Sequence, residues 1–330
     1  MRLALYSRGM SQDAADMTFR AHRVTTTRQY QGIWAKFYSF LSSQDIPHDQ
    51  ISIGVVCNFL CFHCTTHHRK YRTLATYRSA LRHPLLFALS LDIKSLDADL
   101  FMRGVFNYDP PVAAKDMPSW NLNSLLNFLL CPVFEPLLSA SYKRLTQKTL
   151  CLILLASGRR ISEVANISRS STVGPFPSTL SLEWVPGFSS KTHSPSHATT
   201  FPSIGSLSAS DGSPMLLCPI RAYKIYLSRS AAWLGASPPS PRHRYLWFHQ
   251  TNPRPASKAY LSGLFRDLVK DSRHFNDLDP GVVAGPHQMR KLAASYASQV
   301  GQSEARLLQI MDFAGPTIFR KNYVAWVPPP

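Results

Sequence analysis

Acidic side chains are scarce in this 330-residue chain: 19 Asp and Glu stand against 36 Lys and Arg, a formal net charge of +17. Long apolar runs are missing too. None reaches the roughly 18 uncharged residues of a membrane span, and the opening MRLALYSRGMSQDAADM has no signal-peptide core. Six cysteines over this length are too few for a disulfide scaffold, which points to a reducing compartment. No internal repeat is visible. What is plentiful is core material: 45% hydrophobic and 11% aromatic residues exclude wholesale disorder. The expectation is a soluble, intracellular, basic protein, and at roughly 100–200 residues per domain it has two domains.

The acid deficit is concentrated. No acid occurs from Gln50 to Leu91, a stretch that carries Arg69, Lys70, Arg72, Arg78 and Arg82. A second acid-free stretch, Gly212 to Arg266, carries Arg221, Lys224, Arg229, Arg242, Arg244, Arg254, Lys258 and Arg266. Two such stretches predict basic surfaces on both domains, suited to neutralising the phosphates of a nucleic acid.

Residues 1–20 show no sustained period and read as a flexible leader. From Thr25, Tyr30, Ile33, Trp34, Phe37, Phe40 and Leu41 recur at helical steps. Further helices are predicted over Val55 to Cys64, around Leu74 to Leu85, and over Leu96 to Phe106, giving a helical bundle over 21–106. Asn107 to Pro118 holds three prolines in twelve residues and is the predicted linker. In the remainder, 119–330, helices are expected over Leu122 to Leu130, Tyr142 to Ser157, Arg159 to Asn166, Pro219 to Leu227, Ser257 to Val269, Met289 to Val300 and Ser303 to Met311. Alternation at Leu180, Leu182 and Trp184 predicts a strand, with Phe201 to Ile204 as its partner. The fold class is therefore mainly α with a small β-sheet.

Four constellations could carry chemistry. Cys57, Cys61 and Cys64, with His63, His67 and His68, suggest zinc. Yet the cysteines fall at i, i+4 and i+7 beside Phe59, Leu60 and Phe62, a packing face, so no metal is expected. In Ser157-Gly158-Arg159-Arg160-Ile161-Ser162-Glu163, Glu163 stands one turn from Arg160 and can orient its guanidinium, whose planar fork suits a phosphate. His287 and Arg290 stand one turn apart near a helix start marked by Pro286, where an anion is favoured. Tyr323 closes a fourth segment that runs from Ile310 through Phe313.

The order Arg160, Lys191, His287-x-x-Arg290, Tyr323 resembles the tyrosine recombinase (phage integrase) family. Ser157 to Glu163 looks like the family's first arginine box and His287-Gln288-Met289-Arg290 like its second, while Thr76 to Leu81 resembles its core-binding domain. Phe101 to Phe106, Leu217 to Ala222 and Phe188 to Thr192 are most similar to recombinases of eukaryotic mobile elements of the DIRS and related types. The resemblance spans about residues 25–326. It implies an amino-terminal DNA-binding bundle and a tyrosine-recombinase-type catalytic domain. It also implies site-specific cleavage and rejoining of double-stranded DNA through a 3′-phosphotyrosyl link, with neither metal nor cofactor. Tyr323 is the implied nucleophile, Arg160 and Arg290 the phosphate clamp, Lys191 the acid for the leaving 5′-oxygen, His287 a proton-transfer assistant and Glu163 a support. Self-association as a tetramer on DNA and a nuclear location follow from the same resemblance, with no membrane involvement.

One position departs from the family pattern. About nine residues before the tyrosine the family usually carries His or Trp; here Ala314 stands at nine and Phe313 at ten, and Phe313 is read as the stand-in. Phe packs as Trp does but offers no N–H donor. The chain continues from Val324 to Pro330, where many relatives carry a longer tail helix that docks on a neighbour. That coupling is expected to be made otherwise, or to belong to a missing part of the gene product. The other readings are a domesticated DNA-binding protein that no longer recombines, which Phe313 and the short tail favour, and a type IB topoisomerase, against which the small amino-terminal bundle argues.

Overall fold

A computed structural model describes residues 5–6, 8–110, 122–174, 179–193, 202–207, 215–235, 241–249, 254–278, 284–313, 315–320 and 323. Most of the linker read over 107–118 lies outside them, as do Phe201, Ala314 and Val324 to Pro330. The chain divides into two compact units, Met1–Lys115 and Asp116–Pro330.

The first unit is all helix: α1 (Gln12–Phe19), α2 (Val24–Ser43), α3 (Ile53–Thr65), α4 (Tyr71–Leu89) and α5 (Leu96–Tyr108). Helix α1 falls within the stretch read as a leader. It begins at Ser11, whose hydroxyl accepts from the Ala14 N–H, and it is too short for a hydrophobic period to show. Ser52 and Ser95 cap α3 and α5 in the same way. Helix α2 buries Ile33, Phe37, Phe40 and Leu41, one face at three- and four-residue steps. Phe37 meets Phe59 of α3 edge-on at 5.1 Å. Cys64 is buried in this core while Cys61 is exposed, and the imidazole of His63 packs on Phe59 at 4.7 Å. Burial, then His67 and Lys36, push that imidazole down to about 4.

The second unit surrounds one buried helix. Its elements are α6 (Leu122–Phe128), α7 (Tyr142–Ser157), α8 (Ile161–Val164), β1 (Thr172–Val173), β2 (Thr179–Ser181), β3 (Ser203–Gly205), α9 (Pro219–Leu234), α10 (Lys258–Phe275), α11 (Pro286–Gln299), α12 (Glu304–Ile310) and α13 (Pro316–Phe319). Helix α7 is buried without a break from Leu145 to Leu154 and packs against α9, α10 and α11. Its polar positions are all spoken for. Gln147 donates to the Leu264 carbonyl at 3.0 Å, and the Lys148 ammonium donates to the Leu129 carbonyl at 2.7 Å and to Glu135 at 2.5 Å.

The sheet is antiparallel in the order β1-β2-β3, with Leu180 opposite Val173 on one side and Ile204 on the other. The predicted strand is shorter than its alternation suggests, because Trp184 leaves the ladder to donate its indole N–H to the Glu163 carbonyl at 3.1 Å. The architecture is mainly α with a small sheet. Among the described residues no helix is long and apolar enough to cross a membrane.

Candidate active site

The site is built where α7 ends. Gly158 caps α7 in the left-handed region at φ +57°, and a Cβ there would meet the Met311 side chain at 2.5–2.8 Å, so any other residue would be strained and would displace Met311. The turn directs two successive arginines at two carboxylates. Arg160, the N-cap residue of α8, donates to Glu163 at 2.8 Å and lies 3.7 Å from Asp312. Arg159 is buried and lies 3.6 Å from both carboxylates, with its guanidinium over the Trp184 ring.

The Gly158 carbonyl faces the second arginine box and accepts from Arg290 Nη1 at 3.0 Å. Pro286 and a bond from the Gly285 N–H to the Gln288 side chain set the start of α11, which carries His287 and Arg290 on successive turns. Arg290 is only 1% exposed, and its guanidinium lies over the Phe313 ring at 4.2 Å and near the Tyr323 ring at 5.8 Å. Its Nε and Nη2 are buried with no hydrogen bond of ordinary length to the described residues, the Tyr323 hydroxyl being a polar group that pulls on the guanidinium. Burial and the neighbouring Arg160 push Arg290 down to about 10, against the pull of Tyr323 and Glu163.

Tyr323 is buried against Phe313 (4.5 Å between centroids), Phe319 (6.4 Å) and His287 (6.1 Å). The Ser295 hydroxyl of α11 donates to its backbone carbonyl at 2.9 Å. His287 stays exposed, yet its imidazole is held below the ordinary value by desolvation, then by Lys291, Arg290, Arg160 and Lys191. That imidazole is thus neutral near pH 7 and can accept a proton. Lys191 is exposed on a turn between β2 and β3, close enough for its charge to act on His287. Arg160, Glu163, His287, Arg290, Phe313 and Tyr323 form one cluster, with Lys191 at its edge. Together they offer fixed cations for an anionic group, a phenolic hydroxyl beside them, and neutral imidazole and ammonium groups for proton transfer.

Asp312, Arg159 and Trp184 belong to this cluster although their spacing in sequence marks none of them. The φ of +55° at Asp312, which aspartate tolerates, becomes visible only in the folded chain.

The basic candidates of the first unit divide. Arg69 and Arg72 are exposed, and Lys70 is exposed in an ion pair with Asp109 at 2.8 Å, of a kind that contributes little. Arg78 is partly buried: its Nε and Nη2 donate to the Ile93 carbonyl, at 2.9 and 2.7 Å, and Nη2 meets Asp99 at 2.5 Å, so two of its three nitrogens are used inside the unit. Arg82 is partly buried, with its Nε unpartnered among the described residues. The second acid-free stretch divides as well. Arg221 grips Glu135 with two bonds of 2.8 Å and Arg229 donates to the Leu137 and Ala140 carbonyls, whereas Lys224, Arg244, Arg254, Lys258 and Arg266 are exposed.

No family model matches the sequence, and no curated protein matches it. Solved structures match in architecture. The Tn1549 transposon integrase in complex with transposon right end DNA is 16% identical, with a TM-score of 0.58 over 94% of this chain and 92% of that one. XerH site-specific recombinase bound to the palindromic difH substrate is 14% identical, with a TM-score of 0.58 over 93% of this chain and 78% of that one. A lambda integrase dimer bound to a COC′ core site is 14% identical, with a TM-score of 0.54 over 98% of this chain and 92% of that one. Those three proteins are tyrosine recombinases, and theirs is the fold that this chain adopts.

Proposed function

We propose that the chain is a site-specific DNA recombinase in which Tyr323 attacks the scissile phosphate. The phenolic oxygen forms the new bond to phosphorus, and the bond from phosphorus to the 5′-oxygen breaks. His287 takes up the tyrosine's proton, Lys191 supplies one to the departing 5′-oxygen, and Arg160 and Arg290 clamp the nonbridging oxygens. Glu163 orients Arg160. Reversal with another 5′-hydroxyl rejoins the strand, because the energy of the broken ester is kept in the phosphotyrosyl link. Exposed Arg69, Lys70, Arg72 and basic residues of the second unit bind duplex phosphates. On DNA the chain acts as a tetramer. The motif phrases around Phe101, Lys191 and Leu217 favour an origin in a eukaryotic mobile element of DIRS type, and hence work in the nucleus.

The observation that carries this reading is Arg290. A buried cation with two nitrogens unpartnered among the described residues is costly to fold around, by several kcal/mol where nothing offsets it. Two aromatic faces offset part of that cost. The rest makes sense if an anion completes the site, and the fold is shared with proteins solved on DNA.

The test is to select the bound DNA sequence from a random pool and nick it into a suicide substrate. The expected result is a covalent protein–DNA adduct with wild type and none with Tyr323→Phe, at nearly equal DNA affinity. Wild type that binds the selected site and forms no adduct has kept DNA binding alone, the reading that Phe313, with no N–H to offer, would favour.

A further inference from the structure

The described residues flanking Lys191 are fastened to one carboxylate. The Ser190 hydroxyl donates to Asp312 Oδ2 at 2.9 Å, and the Thr192 hydroxyl donates to the same oxygen. Ser190 Oγ also accepts from the His193 N–H at 3.2 Å, closing the turn in which Lys191 sits. Asp312 is 1% exposed, and the same Oδ2 faces Arg159 at 3.6 Å and Arg160 at 3.7 Å. It directly precedes Phe313, whose ring lies under Arg290 and against Tyr323.

From this junction we infer that Asp312 is a positioning residue, docking the turn of Lys191 onto the first arginine box and so fixing where the proton donor stands. The inference rests on the role proposed above for Lys191. Lysine carries its charge on a flexible four-carbon stem, so the reach of its ammonium is set by the backbone on either side. Two hydroxyls anchored on one buried oxygen fix that backbone. A carboxylate suits the job, because its oxygen is acceptor-only and its charge favours the two hydroxyl donors and the two guanidinium groups that face it. Charge-assisted bonds of this kind are about twice as strong as neutral ones. The alternative is that Asp312 only balances the buried Arg159, in which case its loss disturbs the arginines and not the proton donor.

A DNA substrate with sulfur in place of the bridging 5′-oxygen separates the two. Attack by Tyr323 then breaks a phosphorus–sulfur bond, and sulfur departs as a thiolate with the electron pair, needing no proton because a thiol is a far stronger acid than an alcohol. Asp312→Ala and Lys191→Ala should each cleave the ordinary diester on the order of 10²-fold more slowly than wild type, and the sulfur substrate within about threefold of it. Arg160→Ala should stay slow on both. An Asp312→Ala protein equally slow on both substrates overturns the inference. Hydrogen exchange of the free protein gives a second readout that needs no catalysis. Amides 188–193 should exchange about tenfold faster in Asp312→Ala, and in Thr192→Val should the first variant fail to fold, with α7 unchanged. Unchanged exchange at 188–193 in a folded variant also overturns the inference. Wild type that forms no adduct on either substrate removes the recombinase reading, while the exchange experiment still decides the tether.

Discussion

Arginine is drawn inside both units of this protein, under opposite arrangements. In the first unit, Arg78 has a carboxylate and a doubly used carbonyl, so each of its interactions is internal. In the second, Arg290 is more deeply buried and has one carbonyl and two aromatic faces, with two nitrogens unpartnered among the described residues. Arg221, also in the second unit, resembles Arg78: Glu135 grips it with both oxygens. Net charge therefore says little about where an anion binds. Arg290 differs from Arg78 and Arg221 in having no carboxylate within ion-pair distance among the described residues, while Arg160 keeps Glu163 at 2.8 Å and is still partly exposed.

The comparison is broken most directly at Arg290. Replacing it by Met should slow DNA cleavage by a factor on the order of 10³ or more, since a charge-assisted clamp on the transferring phosphoryl group is lost. The same change should leave the free protein as stable as wild type or raise its stability by up to about 2 kcal/mol, because it removes a buried charge that no carboxylate pairs directly. A stability loss in urea unfolding as large as that of a paired arginine would end the distinction.

Phe313 sharpens it next. The ring supports Arg290 from below but has no hydrogen to donate, so Phe313→Trp or Phe313→His should raise the single-turnover cleavage rate by up to roughly a hundredfold. A cleavage-competent protein whose rate neither change alters would make Phe313 a packing residue only.

The first unit should respond in the other direction. Arg78→Met should cost about 1–3 kcal/mol of stability, the usual consequence of leaving a carbonyl such as that of buried Ile93 unpartnered, while water takes up the exposed Asp99 carboxylate. Arg72→Ala, on an exposed side chain, should leave stability unchanged and reduce the slope of log affinity against log salt by about 1. If Arg78→Met changed only the salt slope, its internal bonds would contribute nothing.

The smallest effect concerns pH. Burial alone would raise the Glu135 carboxyl, but hydrogen bonds from Arg221 and Lys148 hold it down at about 2, against an ordinary value of 4.5. A depressed carboxylate contributes stability that is complete above the ordinary value and is lost as pH falls from about 4.5 to about 2. Thermal unfolding of Glu135→Gln should accordingly show a shallower loss of stability over that window than wild type, with a lower plateau at neutral pH.

Much of this was legible before folding. The three- and four-residue steps of Ile33, Phe37, Phe40 and Leu41 announce α2, and the apolar run after Tyr142 announces a central helix, because burying a face imposes a period on the residues that form it. Arg160, His287, Arg290 and Tyr323 were legible by their order, since that reading needs residue types and not distances. Helix α1 escaped because eight residues carry too little period, and Trp184 read as part of a strand because alternation cannot tell a ladder from a side chain recruited by a carbonyl. The partners escaped altogether. Nothing in the spacing links Asp312 to Ser190, Thr192 and Arg159, or Arg78 to Ile93.

The sequence by itself determined the longer helices, the basic character and which nucleophilic and cationic side chains the chain has to offer, because periodicity, charge and residue chemistry are properties of the chain read along its length. Only the tertiary structure decided which cations are paired with carboxylates and which are not. Pairing energy depends on distance and burial, and residues 122 positions apart, such as Ser190 and Asp312, acquire both only when the chain has folded.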